Sequence, residues 1–188
     1  MAQSAPAAYL QANEIAVIDA AKLDPIRFGE LYDRHFGQIY RFAYARVRDQ
    51  ATAEDITSEV FVKALAALPR FRHSGRPFHA WLYRIAFNTI TDSARSTNRS
   101  VALECVDEAQ AASDDSTVEV ALRRYDIDRV WRRVATLPTD QRTAITLKFR
   151  DDLAIKDIAF AMGRSNGAAK LLLHRGLARL RRDLAAER

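Results

Sequence analysis

Several polar side chains near the C-terminus recur at the spacing of one helix face. Asn166, Lys170 and His174 are each four residues apart, and Arg175 follows directly. Residues at this interval lie above one another on a helix. Their amide, imidazole and cationic groups can hydrogen-bond to the edges of bases and neutralise phosphates. The stripe therefore has the chemistry of a nucleic-acid contact, and a charged helix face that is only solvated is the alternative.

The residues around this stripe predict a helix-turn-helix over residues 153–180. Gly163 tolerates the positive φ of a sharp turn, and Ser165 is a good N-cap for the second helix. The two helices would bury small and apolar residues at helical spacing: Ile155, Ile158, Ala159 and Met162 in the first, and Ala169, Leu173, Gly176, Leu177, Leu180 and Leu184 in the second. A polar helix start after a tight turn is suited to a DNA major groove.

A second stripe combines an aromatic ring with cationic and amide groups. Trp81, Arg84, Asn88, Thr91 and Arg95 are three or four residues apart and share one helix face. Unpaired bases can stack on an indole while arginines hold phosphates and an amide reads a base edge. A half-buried tryptophan beside solvated charges is the alternative. The helix-turn-helix in the same chain favours the nucleic-acid interpretation.

Three helices are predicted between residues 24 and 96 to position the second stripe. The first follows Pro25, the second starts at Thr52 with a capping-box pattern, and the third runs from residue 78 to residue 95. A short loop, residues 70–76, precedes the third helix. Residues 1–23 contain eight alanines and a weak apolar pattern, which fits either a frayed helix or a disordered tail.

Charge is unevenly distributed along the 188 residues. The net charge is +3 over residues 1–99, −6 over residues 100–122 and +8 over residues 123–188. The acidic segment has few large apolar residues, which predicts a flexible linker at residues 97–120. The basic C-terminal part fits a phosphate-binding surface. We therefore expect an all-α protein with two small helical domains, residues 24–96 and 121–188.

Few residues offer catalytic or metal-binding chemistry. The four histidines are scattered and are better explained as solvated or DNA-facing side chains, since a zinc site from His73, His79 and Cys105 has unfavourable spacing. We find no glycine-rich nucleotide loop and no constellation of catalytic residues, so we expect no cofactor, no metal and no enzymatic activity. A single cysteine allows no internal disulfide. Without a secretory signal or an apolar run of about 20 residues, the sequence predicts a cytoplasmic protein without membrane insertion.

Taken in order, these motifs resemble bacterial RNA polymerase sigma factors of the extracytoplasmic-function type. Residues 28–35 (FGELYDRH), 53–64 (AEDITSEVFVKA) and 78–89 (FHAWLYRIAFNT) are similar to the second conserved sigma domain. Residues 137–147 (LPTDQRTAITL) and 153–180 are similar to the fourth. The resemblance implies two helical domains, the second of them with the helix-turn-helix, joined by a flexible acidic linker.

The resemblance also implies a partner for each surface. The β′ clamp of core RNA polymerase would bind Asp55, Ile56, Glu59, Val60 and Lys63, and the β flap would bind the C-terminal domain. The loop before the third helix would capture a flipped base of the promoter minus-ten element with Phe71, Arg72, His73, Ser74 and Arg76. The melted strand would then lie on Trp81, Arg84, Asn88 and Arg95. The duplex minus-thirty-five element would be read by Arg164, Ser165, Asn166, Lys170, His174 and Arg175.

The function implied by the resemblance is transcription initiation without covalent chemistry by this chain. In the family the linker runs through the RNA exit path, and the acidic charge of residues 100–122 is compatible with that role. Many relatives are held inactive by an anti-sigma protein, which makes such a protein a candidate partner. Two alternatives stay open. One is a helix-turn-helix regulator that binds DNA without polymerase, and the other is a helical adaptor that acts through protein contacts.

Two positions depart from the family pattern. Leu171 and Leu172 follow Lys170, where relatives commonly have a small polar residue and then arginine. Leu171 is expected on the exposed helix face, where it would contact a thymine methyl group or a protein partner. Thr52 stands where the family usually has aspartate at the start of the clamp-binding helix. Phosphorylation of Thr52 is one hypothesis for restoring that negative charge.

Overall fold

The computed structural model describes residues 7–97 and 118–186, with side chains described at 13–94 and 127–186. Within these ranges the chain forms α-helices and two short 3-10 turns, and it contains no β-strand. The helices are α1 (Ala7–Leu23), α2 (Phe28–Val47), α3 (Gln50–Ala67), α4 (Phe78–Thr97), α5 (Val118–Ala135), α6 (Thr139–Phe149), α7 (Ile155–Met162) and α8 (Asn166–Ala185). The 3-10 turns are Pro25–Arg27 and Leu68–Arg70.

The chain divides into two compact units. The first contains α1–α4, and the second contains α5, α6, α8 and most of α7. The expectation of an all-α protein with two helical domains is confirmed. The linker predicted at residues 97–120 lies mostly outside the described residues, so the domain limits stay predictions. In the described part of the chain, no helix is both long and apolar enough to span a membrane.

The alanine-rich start of the chain forms a helix that belongs to the first unit. Ile18 of α1 is fully buried and Ala21 nearly so. The helix contacts α2 and both 3-10 turns. Of the two forms that the sequence allowed for residues 1–23, the structure shows the helix over Ala7–Leu23.

The other three helices of the first unit pack around an aromatic and aliphatic core. Its main side chains are Phe28, Leu31, Ile39 and Phe42 of α2, Ile56, Val60 and Phe61 of α3, and Phe78, Leu82, Tyr83 and Ala86 of α4. Their three- and four-residue spacing makes each helix amphipathic. Burying each large apolar side chain stabilises the fold by roughly 1.5–3 kcal/mol. This packing fixes the direction in which the polar side chains of α4 emerge.

The start of α3 differs from the sequence prediction. The helix begins at Gln50, and its N-cap is Asp49, whose Oδ1 accepts hydrogen bonds from the Thr52 backbone N at 2.8 Å and the Thr52 hydroxyl at 2.5 Å. These bonds hold the pKa of Asp49 below its usual value. The prediction that Thr52 starts the helix was wrong, because Asp and Thr are both good caps and only the packed helix shows which one is used.

This geometry also removes the physical basis of the phosphorylation hypothesis. The Thr52 hydroxyl is a hydrogen-bond donor to the Asp49 carboxylate. A phosphate on Thr52 would lose that donor and place a second negative charge beside Asp49. The phosphate would therefore repel the Asp49 carboxylate that already caps α3, instead of supplying a missing cap.

The predicted helix-turn-helix is formed by α7 and α8. After α7, Gly163 adopts a φ of +63°, and α8 then starts at Asn166. Ser165 is the N-cap, and its Oγ accepts a hydrogen bond from the Ala168 backbone N at 3.2 Å. The predicted turn and the predicted cap are both confirmed.

α8 crosses α6 closely at a glycine. Gly176 is buried, and a Cβ atom at this position would lie 2.7 Å from Cδ1 of Ile145 in α6. The other predicted core positions of α8 are the buried Ala169, Leu173 and Leu180 and the half-buried Leu177 and Leu184. The close crossing buries one face of α8 and leaves the opposite face to solvent.

Candidate nucleic-acid and polymerase-binding surfaces

The predicted recognition face of α8 is accessible. Asn166, Lys170, His174 and Arg175 are all exposed. They lie on the side of the helix that does not pack on α6. Asn166 is the first residue of α8, where the positive end of the helix dipole favours phosphate. The structure therefore brings together on one surface the four side chains that the sequence placed there.

Two further residues predicted to contact DNA also have structural roles. Arg164 donates from Nη2 to Oδ2 of Asp140 at 3.0 Å, which ties the turn to the first turn of α6. Ser165 uses its Oγ atom as the cap of α8. Both side chains are exposed. Each can therefore position the recognition helix and still stand at its surface.

Leu171 places an apolar side chain beside the polar face of α8. It is 46% exposed, so the expectation of an exposed leucine is confirmed. The neighbouring Leu172 is half-buried. A leucine at this position offers an apolar surface to a thymine methyl group or to a protein.

An aromatic cluster joins the loop before α4 to the start of that helix. The ring of Phe71 lies 4.8 Å from the ring of Trp81 and 5.4 Å from the ring of Phe78. The rings of Phe78 and Trp81 are 5.3 Å apart. Phe78 is buried, whereas Phe71 and Trp81 are half-buried. The cluster thus presents the edge of a packed aromatic core at the protein surface.

Most of the other residues of this loop are exposed to solvent. Arg72, His73 and Ser74 are exposed, and Gly75 adopts a φ of +70° at the tip of the loop. Arg76 donates from Nη1 to Oγ of Ser74 at 3.3 Å. Polar side chains therefore surround the aromatic cluster, as the predicted capture of an unstacked base requires.

The side chains of the polar and aromatic stripe on α4 differ in how exposed they are. Trp81 and Arg84 are half-buried, and Asn88 is exposed. The hydroxyl of Thr91 donates to the Phe87 carbonyl oxygen at 2.7 Å, so it is already engaged within its own helix. Arg95, the last member predicted, has its side chain outside the described residues.

The apolar part of the predicted clamp-binding patch is corrected by the structure. Ile56 is 3% exposed and Val60 is fully buried, and both belong to the core of the first unit. An amphipathic helix turns its apolar stripe toward the core, and these two positions are on that stripe. Neither side chain is available at the surface for a partner.

The exposed side of α3 carries a different set of residues. Asp55 and Glu59 are exposed, and Val62 is an apolar side chain that is 68% exposed. Lys63 donates to Oε1 of Glu59 at 2.7 Å and to Oγ1 of Thr89 at 3.1 Å, which links α3 to α4. Three members of the predicted patch therefore remain at the surface, and Val62 is an exposed apolar neighbour that was not predicted.

The second unit also has exposed apolar side chains outside the recognition face. Ile127 and Val130 of α5 are 54% and 36% exposed, and Phe149 at the end of α6 is 57% exposed. The guanidinium of Arg150 stacks over the ring of Trp131 at 4.3 Å and joins the ends of these two helices. Exposed apolar side chains on both helices make this part of the second unit a candidate protein interface.

A buried ionisable cluster lies beneath α1 and was not predicted. His35 is buried, its Nε2 is 2.9 Å from Oε1 of Glu14, and its ring is 6.2 Å from that of His79. The interpretation of the histidines as solvated or DNA-facing was wrong for His35. Neither its sequence neighbours nor its spacing pointed to Glu14, because the contact spans two helices.

This cluster shifts the pKa values of two of its members. Burial acts to raise the pKa of Glu14, but the hydrogen bond and the charge of His35 outweigh it, so that pKa is lowered. Burial also lowers the pKa of His79, and the nearby charge of His35 adds to the effect. A charged Glu14 therefore suits the folded state, whereas a charged His79 does not.

The described residues contain no group of three or more His, Cys, Asp and Glu side chains that could hold a metal ion. His73 and His79 lie within the described part of the first unit, and Cys105 lies outside the described residues.

Comparison with protein-family models matches two segments of the chain. Residues 31–100 match sigma-70 region 2, and residues 127–180 match sigma-70 region 4. The first segment contains the aromatic cluster and the α4 stripe. The second contains the helix-turn-helix.

Curated relatives agree with these matches. The chain is 36% identical over 162 residues to the ECF RNA polymerase sigma factor BldN of Streptomyces coelicolor, which covers 84% of this chain and 60% of BldN. It is 32% identical over 154 residues to the ECF RNA polymerase sigma factor SigD of Mycobacterium tuberculosis, which covers 79% of this chain and 72% of SigD.

Solved structures share the fold. The sigma factor RpoE of Bartonella quintana, in complex with the anti-sigma factor NepR, matches with a TM-score of 0.67 and 24% identity over 86% of this chain and 98% of that one. CnrH in complex with the cytosolic domain of CnrY matches with a TM-score of 0.64 and 24% identity over 92% and 97%. The family-model matches and the curated relatives show that this chain belongs to the ECF family of RNA polymerase sigma factors, which are transcription initiation factors.

Proposed function

We propose that this sigma factor reads a duplex minus-thirty-five element with α8 and holds a melted minus-ten strand with the 71–76 loop and α4. The observation that carries the proposal is the presence of two different nucleic-acid surfaces in one chain. The α8 face is polar and fully accessible, as duplex readout requires. The first-unit surface is aromatic with a polar surround, as unpaired bases require.

The α8 surface supports base readout in the major groove. Asn166 can pair with an adenine edge, and Lys170 and Arg175 can contact guanine or phosphate. His174 extends this face by one turn. Leu171 adds a contact to a thymine methyl group. The side chains of one helix face thus supply polar and apolar readout together.

The aromatic cluster supports strand opening. Extracting a base from the duplex costs a few kcal/mol, and stacking it on an aromatic ring returns about 1–3 kcal/mol. Phe71 and Trp81 offer half-buried rings that are already held in place by Phe78. Arg72 and Asn88 are exposed nearby and offer contacts for phosphate and base edges. Capture of unstacked bases would shift the promoter toward its melted form.

We also propose two contacts with core polymerase. The exposed acidic residues Asp55 and Glu59, with the exposed Val62 one turn after Glu59, form the surface of α3 for the β′ clamp. Ile127, Val130 and Phe149 form an apolar surface of the second unit for the β flap. Polymerase would supply the chemistry of nucleotide addition, and this chain would act with it in the bacterial cytoplasm. An anti-sigma protein, as found with RpoE of Bartonella quintana, would compete for these surfaces.

The proposal is tested by gel filtration of the purified chain with bacterial core RNA polymerase, followed by run-off transcription on fragmented genomic DNA. We expect co-elution and discrete new transcripts. A double variant, Asp55→Lys with Glu59→Lys, should lose co-elution, whereas Glu54→Lys on the same helix serves as the control. The proposal would be contradicted if the chain did not co-elute with polymerase but bound duplex DNA tightly as a dimer on paired half-sites. That result would favour a regulator that acts without polymerase.

A further inference from the structure

α1 lies against the 71–76 loop as well as against α2. Nζ of Lys22 is 5.8 Å from the centre of the Phe71 ring. The same ammonium group donates to Oδ1 of Asp19 at 2.8 Å. That hydrogen bond lowers the pKa of Asp19, and the charge of His73 in the loop contributes a smaller effect in the same direction. The last turn of α1 therefore contacts the loop at Phe71.

The middle of α1 is fixed to the body of the first unit. Glu14 and His35 form a pair of 2.9 Å, and their side chains are only 14% and 5% exposed. Nδ1 of His35 lies 3.4 Å from Oε1 of Gln38, so both ring nitrogens have partners on known helices. Ile18, one turn after Glu14, is fully buried. A helix held at these points cannot shift its later turns freely.

The two contact regions are connected through the aromatic cluster. The ring of His35 is 5.6 Å from Phe78, and the ring of Phe78 is 5.4 Å from Phe71. Phe71 therefore contacts both Phe78, at the start of α4, and Lys22, in the last turn of α1. Its ring connects the loop to both helices.

We propose that α1 is a positioning helix for the minus-ten loop: Glu14 and Ile18 fix α1 on the first unit, and Lys22 holds the Phe71 ring in its tilted contact with Trp81. This inference rests on the proposed function of the loop. Lys22 and Glu14 act through Phe71 and are positioning residues. A preorganised loop avoids ordering cost when the base binds, so it raises the population of open complexes without changing contacts to the duplex.

The first measurement follows the loop without any DNA. In a Trp131→Phe background, Trp81 is the sole tryptophan of the full-length chain, and Phe71 shields it. We expect Lys22→Met and Glu14→Gln to raise the acrylamide quenching constant of Trp81 and to shift its emission to longer wavelength. Arg27→Gln, which removes an exposed cation from the adjacent 3-10 turn, should leave both unchanged. Lys22→Met keeps the aliphatic stem of a half-buried side chain, so it tests the contact even if Glu14→Gln weakens the fold.

The second measurement separates positioning from general stability. With holoenzyme at a promoter found by run-off transcription, Lys22→Met should reduce permanganate-reactive minus-ten thymines by roughly two- to fivefold, the loss expected for one cation–π contact. Occupancy of the closed complex should not change. The inference would be overturned if Lys22→Met left the acrylamide quenching constant of Trp81 unchanged. It would also be overturned if Lys22→Met raised that constant but left promoter opening at the wild-type level. If wild-type holoenzyme opens no promoter, the proposed function fails, and the quenching result alone decides whether α1 holds the loop.

Discussion

At the scale of single residues, the side chains proposed to contact DNA differ in how much the protein itself uses them. Trp81 is half-buried and packs on two aromatic rings at 4.8 and 5.3 Å. Lys170 is exposed on the outer face of α8. Removal of Trp81 therefore costs packing as well as a stacking surface. Removal of Lys170 mainly costs a positive charge, so the two residues require different tests.

We predict that Trp81→Ala impairs strand opening more than closed-complex formation. Loss of one stacking contact of about 1–3 kcal/mol should lower the open fraction roughly 5- to 150-fold. Trp81→Phe keeps a ring against Phe71 and should retain part of the opening. Permanganate reactivity of minus-ten thymines measures opening, and filter binding measures occupancy. Equal losses in both steps would show that Trp81 acts only through the core.

Lys170→Ala should weaken binding to the duplex minus-thirty-five element and flatten its dependence on salt. If the ammonium group contacts one phosphate, the slope of log affinity against log salt falls by about 1. Affinity of the holoenzyme for promoter fragments, measured across a salt series, gives this slope. Lys156→Ala, an exposed lysine on α7, is the matched control. An unchanged slope for Lys170→Ala would move the DNA surface elsewhere.

The stability of the first unit should depend on pH through His79. Its pKa is lowered by burial first and then by the charge of His35, although the carboxylate of Glu14 opposes the shift, and its ring also faces Tyr83. A lowered folded-state pKa means that stability is present above the unfolded value of 6.5 and is lost as pH falls below it. Glu14, whose pKa is lowered from 4.5, adds a further loss at more acidic pH.

Thermal unfolding across pH 7.5 to about 5 checks this prediction, since that range spans the ordinary histidine pKa. The melting temperature of the first unit should fall on acidification, and His79→Gln should flatten the decrease. His174→Gln, which changes an exposed histidine of the second unit, should not. A pH dependence that survives in His79→Gln would assign the titration to another group.

At the scale of helices, the crossing of α6 and α8 sets the angle at which the recognition face is presented. Gly176 allows this close approach, because an added Cβ would meet Ile145 Cδ1 at 2.7 Å. Gly176→Ala gains up to about 1 kcal/mol of helix propensity but overpacks the contact by about 1–3 kcal/mol. We expect a net loss of roughly 0–2 kcal/mol in the free energy of unfolding.

A double-mutant cycle with Ile145→Val tests the cause of that loss. Valine lacks the Cδ1 atom that the new Cβ would meet, so Gly176→Ala should be less destabilising, or even stabilising, in the Ile145→Val background. Denaturant unfolding of the four proteins gives the coupling. Strict additivity of the two changes would show that the Cβ–Cδ1 contact does not set the crossing distance.

The helix-turn-helix could be predicted in detail because its signals are local. Gly163 supplies the positive φ, and Ser165 supplies the cap within a few residues of the turn. The start of α3 was predicted wrongly at Thr52, because a second capping residue, Asp49, stands three positions earlier and is the one used. The surface of α3 was predicted only in part. Ile56 and Val60 followed the resemblance to a clamp-binding patch, but their helical spacing with the core decides their burial.

The contribution of α1 could not be predicted from the sequence. Its apolar pattern is weak, and alanine is compatible with both exposed and buried positions. Lys22 and Phe71 are far apart in the chain, and so are Glu14 and His35. Contacts of this kind depend on how the helices pack, and no local signal encodes them. The candidate site was therefore predicted as a loop and a helix, without the helix that supports them.

At the scale of the whole molecule, charge and architecture divide the chain in the same way. The basic C-terminal part of +8 follows an acidic segment of −6. The two compact units carry different surfaces, one suited to unpaired bases and one to a duplex groove. A sigma factor needs both, because it must locate a promoter in duplex DNA and then stabilise the melted strand. The proposed function therefore assigns promoter location to the second unit and capture of the melted strand to the first.

The most direct test measures occupancy and opening together for both surfaces on one promoter. Reconstituted holoenzyme containing wild-type chain, Lys170→Ala or Trp81→Ala is titrated on a promoter identified by run-off transcription. Lys170→Ala should lower occupancy while the bound fraction opens normally, and Trp81→Ala should bind normally while few bound complexes open. If both variants reduced occupancy and opening in the same proportion, the two surfaces would not have separate tasks, and the account would be contradicted.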